Sequence, residues 1–474
     1  MTTATGSGHG ALVAGVDSST QSCKIVVCQA ETGRIVRTSR APHPAETEVS
    51  AEEWWRAFAA ASAEPGLLDG VQAMAVGGQQ HGMVTLDESG NLVRDALLWN
   101  DNRSARDAAD LIDELGGSAA WADAVGSVPV ASMTVSKIRW LARCEPDNAA
   151  RTAAVVLPHD WLTWHLGGRS FDPVTDRGDA SGTCYFDASA DAYRRDLIEL
   201  GIGHDLAVPR VARPDEIVGT TPGGIALAAG TGDNMAAALG LGLDEDTAGV
   251  SVGTSGTVFS RSRLQTHDPS GVVAGFADAT GEFLPLVCTL NGARNLAATA
   301  AALGFTFEEM SAAALSAPPG SEGVTFIPYL EGERTPPLPD ARGQIVGLSL
   351  GNYTPANLAR ATIEGVLWSL AYGLQTLQRY VPGISRITLT GGAAQSRAVR
   401  EIARAVFGLP VATTEPFESV AVGAARQAAW ALTGTLPAWP VPYIDEQEPT
   451  TADLTAAAQI NERYHTTLHA HFAL

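Results

Sequence analysis

At 474 residues, 45% hydrophobic and 18% charged, the chain is long enough for two or three folded units with substantial cores. A formal net charge of −21 without any Lys/Arg stripe argues against a nucleic-acid surface. No window approaches the ~18 consecutive apolar residues of a membrane helix. The five cysteines, Cys23, Cys28, Cys144, Cys184 and Cys288, contain no CxxC pair and do not form an even framework. They read as reduced thiols in a cytoplasmic protein.

Met1 to Gly10 are small and polar, and a tag-like disordered tail is expected there rather than a cleaved secretory signal. Ala11 to Val16 is an apolar run ending at Asp17. The polar stretch Ser18 to Ser22 follows, then a second run from Lys24 to Cys28, a turn at Glu31-Thr32-Gly33, and a third run from Ile35. Strand, polar loop, strand, turn, strand is the simplest reading. Small hydroxyl residues in the loop let backbone amides approach an anion, and Asp17 offers the oxygen ligand that Mg²⁺ prefers. A plain hairpin turn explains the same residues.

Trp54 and Trp55 are expected to pack in a core or between lobes, with no chemical role. Ala73 to Val76 leads into Gly77-Gly78-Gln79-Gln80-His81-Gly82, where His81 is either a solvated loop residue or a partner for sugar hydroxyls. Trp99-Asn100-Asp101-Asn102-Arg103 sets polar groups beside an aromatic face, a combination that suits a sugar; Arg103 equally suits a surface ion pair. Gly230-Thr231-Gly232-Asp233-Asn234 precedes a short helical run, so Asp233 either caps that helix or works as a general base. Met235 occupies the third position of a dinucleotide fingerprint, which rules that motif out.

Leu239 to Gly249 reads as a boundary. After it, Gly249 to Val252, Gly253-Thr254-Ser255-Gly256 and Thr257 to Phe259 repeat the opening strand–turn–strand phrase, which points to a duplicated architecture. Ile363, Val366, Leu367, Leu370, Leu374 and Leu377 keep helical spacing, as do Val399, Ile402, Ala403, Val406 and Phe407, stopped by Gly408-Leu409-Pro410. Between these helices, Leu389-Thr390-Gly391-Gly392-Ala393-Ala394-Gln395-Ser396 makes a strand-to-helix turn. Its glycines admit either a planar ligand such as adenine or only a tight connection. No GxxxxGK[ST] occurs, so the P-loop family is excluded. In so acidic a chain, a triphosphate needs backbone N–H groups and a metal rather than a positive field.

The order of these segments resembles the FGGY family of carbohydrate kinases from about Ala11 to Leu432. Two long family patterns occur in full: Ser132-Met133-Thr134-Val135-Ser136-Lys137-Ile138-Arg139-Trp140-Leu141, and Gly343 to Leu348 continuing through Asn357-Leu358 to Ala361-Thr362-Ile363-Glu364. Pro328-Tyr329-Leu330 with Gly332-Glu333-Arg334-Thr335-Pro336 points the same way.

The resemblance implies an α/β, two-lobed actin-like ATPase and sugar kinase fold, built from duplicated ribonuclease H-like domains around a central cleft. The expected lobes are a sugar-binding 11–243 and a nucleotide-binding 244–474. It implies ATP and Mg²⁺, a ketopentose acceptor (D-xylulose first, then ribulose, a hexulose or another polyol), no nucleic-acid or membrane partner, and leaves a homodimer open. By the same resemblance Asp17 sits near Mg²⁺, with Thr20, Ser22 and Thr254 near the phosphates. Asn295, Gly391, Gly392 and Ser396 border the nucleotide. Gln80, His81 and Asn234 face the sugar, and Asp233 is the base; Trp99 and Arg103 are expected sugar contacts by their residue types, not by the resemblance. Ala393 replaces a glycine common in relatives. An Asp of ordinary pKa, ~4, is expected to be ionised at neutral pH.

Overall fold

The structure, a computed structural model, describes residues 10–472; the expected tail, Gly10 apart, lies outside the described residues. β1 (Leu12–Ser18) and β2 (Ser22–Gln29) form an antiparallel hairpin, and β3 (Ile35–Pro42) pairs with the far edge of β2. β1 is covered on both faces, which is why it reads as an unbroken apolar run rather than an alternating one. β4 (Val71–Gly78) lies parallel to β1, with Asp17 opposite Gly77 and Ser18 opposite Gly78. β5 (Ile217–Thr220) and β6 (Ala226–Ala228) extend the order to β5-β6-β4-β1-β2-β3. The two-residue strand Thr231–Gly232 pairs with Gly77 and Gly78 from the other side and completes seven strands.

α1 (Asp233–Gly240) starts at once from that short strand. The second sheet opens with the hairpin of β7 (Thr247–Val252) and β8 (Gly256–Ser260), followed by β9 (Ala274–Ala277) and β10 (Phe283–Thr289). β11 (Arg386–Thr390) runs parallel to β7, and β12 (Val411–Thr414) and β13 (Tyr443–Gln447) complete the order β9-β10-β8-β7-β11-β12-β13. Six strands match between the sheets in order and direction: three antiparallel neighbours, two parallel ones, then an antiparallel edge. The repeated phrase in the sequence is the visible part of that duplication.

Both expected late helices form. One spans Pro355–Gln378, with the Thr354 hydroxyl accepting from the Asn357 amide; the other spans Arg397–Phe407 and stops where Gly408 turns to φ 63°. Trp54 is 1% exposed and meets Trp161 edge-on at 6.2 Å, while Trp55 is half-buried against Phe58.

α2 (Ser419–Thr433), from the second half of the chain, packs on β1, β4 and α1 of the first half. Its alanines 421, 424, 425 and 428 join Val13, Val26, Ala73 and Ala75 in one buried cluster. Glycine makes the close crossing achievable. A methyl carbon at Gly423 would overlap the Ala236 carbonyl oxygen, and one at Gly240 the Ser419 carbonyl oxygen. Gly423→Ala is therefore expected to destabilise the protein by at least about 3 kcal/mol, by overpacking that backbone cannot relieve. Urea unfolding measures this, and an unchanged midpoint contradicts the crossing.

Candidate active site

The register around β4 builds the centre of the site. Its two terminal glycines are flanked by Asp17-Ser18 on one side and Thr231-Gly232 on the other, each about 4.8 Å away across the ladder. Glycine is required here because side chains would strike the packing below: a methyl carbon at Gly78 comes within 2.7 Å of His159 Cβ. The two flanking strands deliver Asp17 at 2% exposure and, through Gly232, Asp233 at the first turn of α1.

Beneath these strand ends lies a buried charge network. His159 Nδ1 bonds Asp179 Oδ2 at 2.7 Å, while Nε2 faces Asp160 at 3.3 Å and Asp176 at 3.8 Å. Burial opposes charge on this imidazole, yet Asp160 and Asp179 together raise it to about 9, so it stays an imidazolium. Asp176 Oδ2 accepts from Thr231 Oγ1 at 2.7 Å and from the Gly178 amide at 2.9 Å, tying the network to the strand that carries Asp233.

A cavity of about 240 Å³ opens between the lobes over this floor. The first lobe contributes Thr20, Gln80, His81, Trp99, Asp233 and Asn234; the second contributes Gly253, Thr254, Ser255 and Arg334. The Asn234 amide donates to Asp233 Oδ1 at 3.0 Å and to Gln80 Oε1 at 2.9 Å, linking the acid to the loop of His81. Trp99 Nε1 donates to Thr20 Oγ1 at 2.8 Å. His81 is not a solvated loop residue. At φ 68° it turns inward, its Nδ1 lies 2.8 Å from the Gly182 carbonyl oxygen, and burial with the Lys137 charge lowers its pKa to about 3. A neutral ring that donates from Nδ1 leaves Nε2 as an acceptor.

The expectation of an ordinary Asp233 is corrected. Burial first, then the charges of Asp17 and Asp179, push it up to about 8, so the ligand-free carboxyl holds its proton at neutral pH. Asp17 is raised by burial despite Lys24 at 3.3 Å, and its Oδ1 has no hydrogen-bond partner.

The remaining expected residues lie outside the cavity wall. Arg103 takes the ion-pair arrangement, with Glu48 at 2.7 Å and Asp101 at 2.8 Å and its guanidinium over Trp140. Ser22 is buried at the start of β2. Asn295 is 1% exposed on helix Ala293–Leu303, donating to Asn291 Oδ1 at 3.2 Å. Gly391 turns at φ 90° beneath Val252, a methyl carbon at Gly392 would meet nothing within 4 Å, and Ser396 donates to Ser311 Oγ. Ser132, Phe276, Cys288 and Arg334 line the cavity without having been read as site residues. Arg334 had a signal in the Gly332 to Pro336 segment and Ser132 in the pattern it opens; Phe276 and Cys288 carried none.

Two matching lobes that bring one carboxyl, Asp233, and hydroxyl-rich turns to a shared cleft have the arrangement of a phosphotransferase of the sugar kinase type. The N-terminal domain model of the FGGY family of carbohydrate kinases matches residues 12–248, and its C-terminal domain model matches residues 248–432. A xylulose kinase of Streptomyces coelicolor is 44% identical over 440 residues, 90% of this chain and 89% of the relative. The crystal structure of xylulose kinase from Bifidobacterium adolescentis superposes at TM-score 0.85 with 44% identity, over 95% of this chain and 99% of that one. Gluconate kinase from Lactobacillus acidophilus, 21% identical with TM-score 0.89 over 97% and 98% of the two chains, shares the fold. The chain belongs to the FGGY family of carbohydrate kinases, and its substrates are a sugar and ATP.

The raised Asp233 pKa has a sign that can be measured. Unfolded, the carboxyl ionises near ~4; folded, it ionises near about 8, so stability from its protonated form is full below pH ~4 and lost as pH rises to about 8. Ligand-free Asp233→Asn, which mimics the protonated form, is expected to match wild type near pH ~4. Its advantage in Tm then grows until about pH 8 and levels off. Thermal unfolding across pH without metal or nucleotide tests this; a pH-independent difference refutes the shift.

Proposed function

We propose that this enzyme transfers the γ-phosphoryl group of ATP to the C5 hydroxyl of D-xylulose, giving D-xylulose 5-phosphate and ADP. The observation that carries the reading is the meeting of Asp233, Gln80 and His81 with Thr20 and Thr254 on one cavity. The identity of 44% to the Streptomyces coelicolor xylulose kinase supports the choice of sugar.

Asp233 is the general base in this reading. Its carboxylate accepts the hydroxyl proton as that oxygen bonds to the γ-phosphorus and the bond to the ADP oxygen breaks. Asn234 orients that carboxylate, and His81 Nε2 accepts from a sugar hydroxyl while the Trp99 ring covers the sugar's apolar face. Thr20 and Thr254 hold phosphate oxygens, with Ser22 buried at the end of the turn that carries Thr20, and Gly391, Gly392, Ser396 and Asn295 border the adenosine. The buried, unpartnered Asp17 Oδ1 fits a hard cation. Mg²⁺ held there supplies positive charge to the phosphates when bound. Lobe closure over the sugar excludes water and limits idle ATP hydrolysis.

The unpaired cysteines support a cytoplasmic enzyme. The lobe division at residues 243 and 244 belongs to the same proposal, and a homodimer is the assembly to test by light scattering.

Coupled ADP detection over a panel of ketoses, polyols and aldonic acids is expected to give D-xylulose the highest kcat/KM, and a faster gluconate or glycerol rate overturns the sugar. With the preferred sugar, folded Asp233→Ala is expected to lose about 10²–10⁴-fold in kcat with little change in the KM for ATP. Near-wild-type turnover removes Asp233 as the base.

A further inference from the structure

Among the described residues lining the cavity, Arg334 carries the only guanidinium or ammonium group. It comes from the second lobe, on a segment that is firmly anchored. The buried Glu333 carboxylate accepts from the Leu290 amide at 2.6 Å and the Asn291 side chain at 3.0 Å, and also receives the Arg334 amide at 2.7 Å. The Thr335 hydroxyl donates to the Cys288 carbonyl oxygen at 2.8 Å. From this base the guanidinium reaches across the cleft, where Nη2 donates to Ser132 Oγ of the first lobe at 2.6 Å.

That is the single side-chain hydrogen bond Arg334 makes among the described residues, out of five N–H donors. An oxygen-rich ligand in the cavity would satisfy the others. Its neighbours show which ligand. Ser132, which Arg334 reaches, lies two residues before Thr134, whose hydroxyl donates to the His81 carbonyl oxygen at 3.2 Å, and Lys137 Nζ is bonded to the Ser132 carbonyl oxygen. Arg334 therefore belongs to the His81 corner of the cleft. The groups of that corner are complementary: neutral His81 offers an acceptor at Nε2, and Arg334 offers donors alone. A sugar hydroxyl satisfies the first, and a carbonyl or hydroxyl oxygen satisfies the second.

We infer that Arg334 is a sugar-binding residue, donating from the nucleotide-side lobe to acceptor oxygens remote from the phosphorylated hydroxyl, so that the sugar bridges the two lobes. This rests on the reading of the cavity given above. Holding His81 from one lobe and Arg334 from the other, the sugar itself draws the cleft shut. Ser132 orients the guanidinium and is a positioning residue.

The test is steady-state kinetics with whichever sugar the wild-type enzyme turns over fastest, so failure on D-xylulose overturns the sugar assignment without touching Arg334. Arg334→Ala is expected to raise the KM for sugar about 10- to 100-fold, the loss expected for a charge-assisted hydrogen bond, while the KM for ATP stays near wild type. Arg334→Lys is expected to recover part of the loss, and Ser132→Ala to raise the same KM by less than Arg334→Ala. Should Arg334→Ala fail to fold, Arg334→Gln carries the same comparison. An unchanged sugar KM, or a matching rise in the KM for ATP, overturns the inference. An effect of Ser132→Ala as large as that of Arg334→Ala reduces the pair to a cross-lobe latch and overturns it equally.

Discussion

Two acidic side chains held at the ends of strands that flank the same pair of glycines constrain everything else in this molecule. Asp17 and the Thr231–Gly232 strand pair with opposite edges of Gly77 and Gly78, so the distance between the carboxyl-bearing backbones follows from ladder spacing. A sheet is among the stiffest frames a chain can offer, and groups set on its edge hold their separation when the lobes move. The cost is electrostatic. Asp17 and Asp233 lie over a buried floor of Asp160, Asp176 and Asp179, against one buried imidazolium at His159 and one lysine at Lys24. Protons held on some of these acids are a means of balancing it.

That imbalance connects the fold to the chemistry. A carboxyl that holds its proton until about pH 8 is a stronger base, once ionised, than one in water. Because its neighbours set that value, the ionisation of Asp233 is sensitive to any charge that enters the cavity beside it. The neutral His81 obeys the same logic in reverse, kept uncharged by burial and neighbouring cations so that it can accept a hydrogen bond. The glycine-mediated crossing of α1 and α2 supplies the mechanical half. α1 starts with Asp233 itself, and α2 starts beside Glu418, whose carboxylate holds Lys24 at 2.6 Å next to Asp17. The crossing and the two acids thus share their backbone anchors.

The sheet hairpins, both late helices and the duplication were legible because their signals are local: apolar runs of strand length, turn residues between them, and helical spacing over two or more turns. Asp233 was legible as a residue but not as an acid. Its ordinary pKa was read from its type, while its raised value comes from burial at the start of α1 and from Asp17 and Asp179, more than fifty residues away along the chain. Arg103 shows the opposite case. The same tetrad of polar residues beside Trp99 suits a sugar or an ion pair, and only the position of Glu48 decides for the pair. Arg334 sat within a quoted segment, yet nothing in that segment says that its guanidinium crosses the cleft to Ser132.

What the sequence by itself determined is the family, the two-lobed plan and the identity of the residues around Asp17, His81, Thr254 and Asp233, since order and composition along the chain suffice for these. Tertiary structure alone decided which of them share a cavity, that α2 leaves its own half to pack against β1, and which way each buried group titrates. Those properties depend on neighbours brought together by folding, and an electrostatic field has no sequence separation.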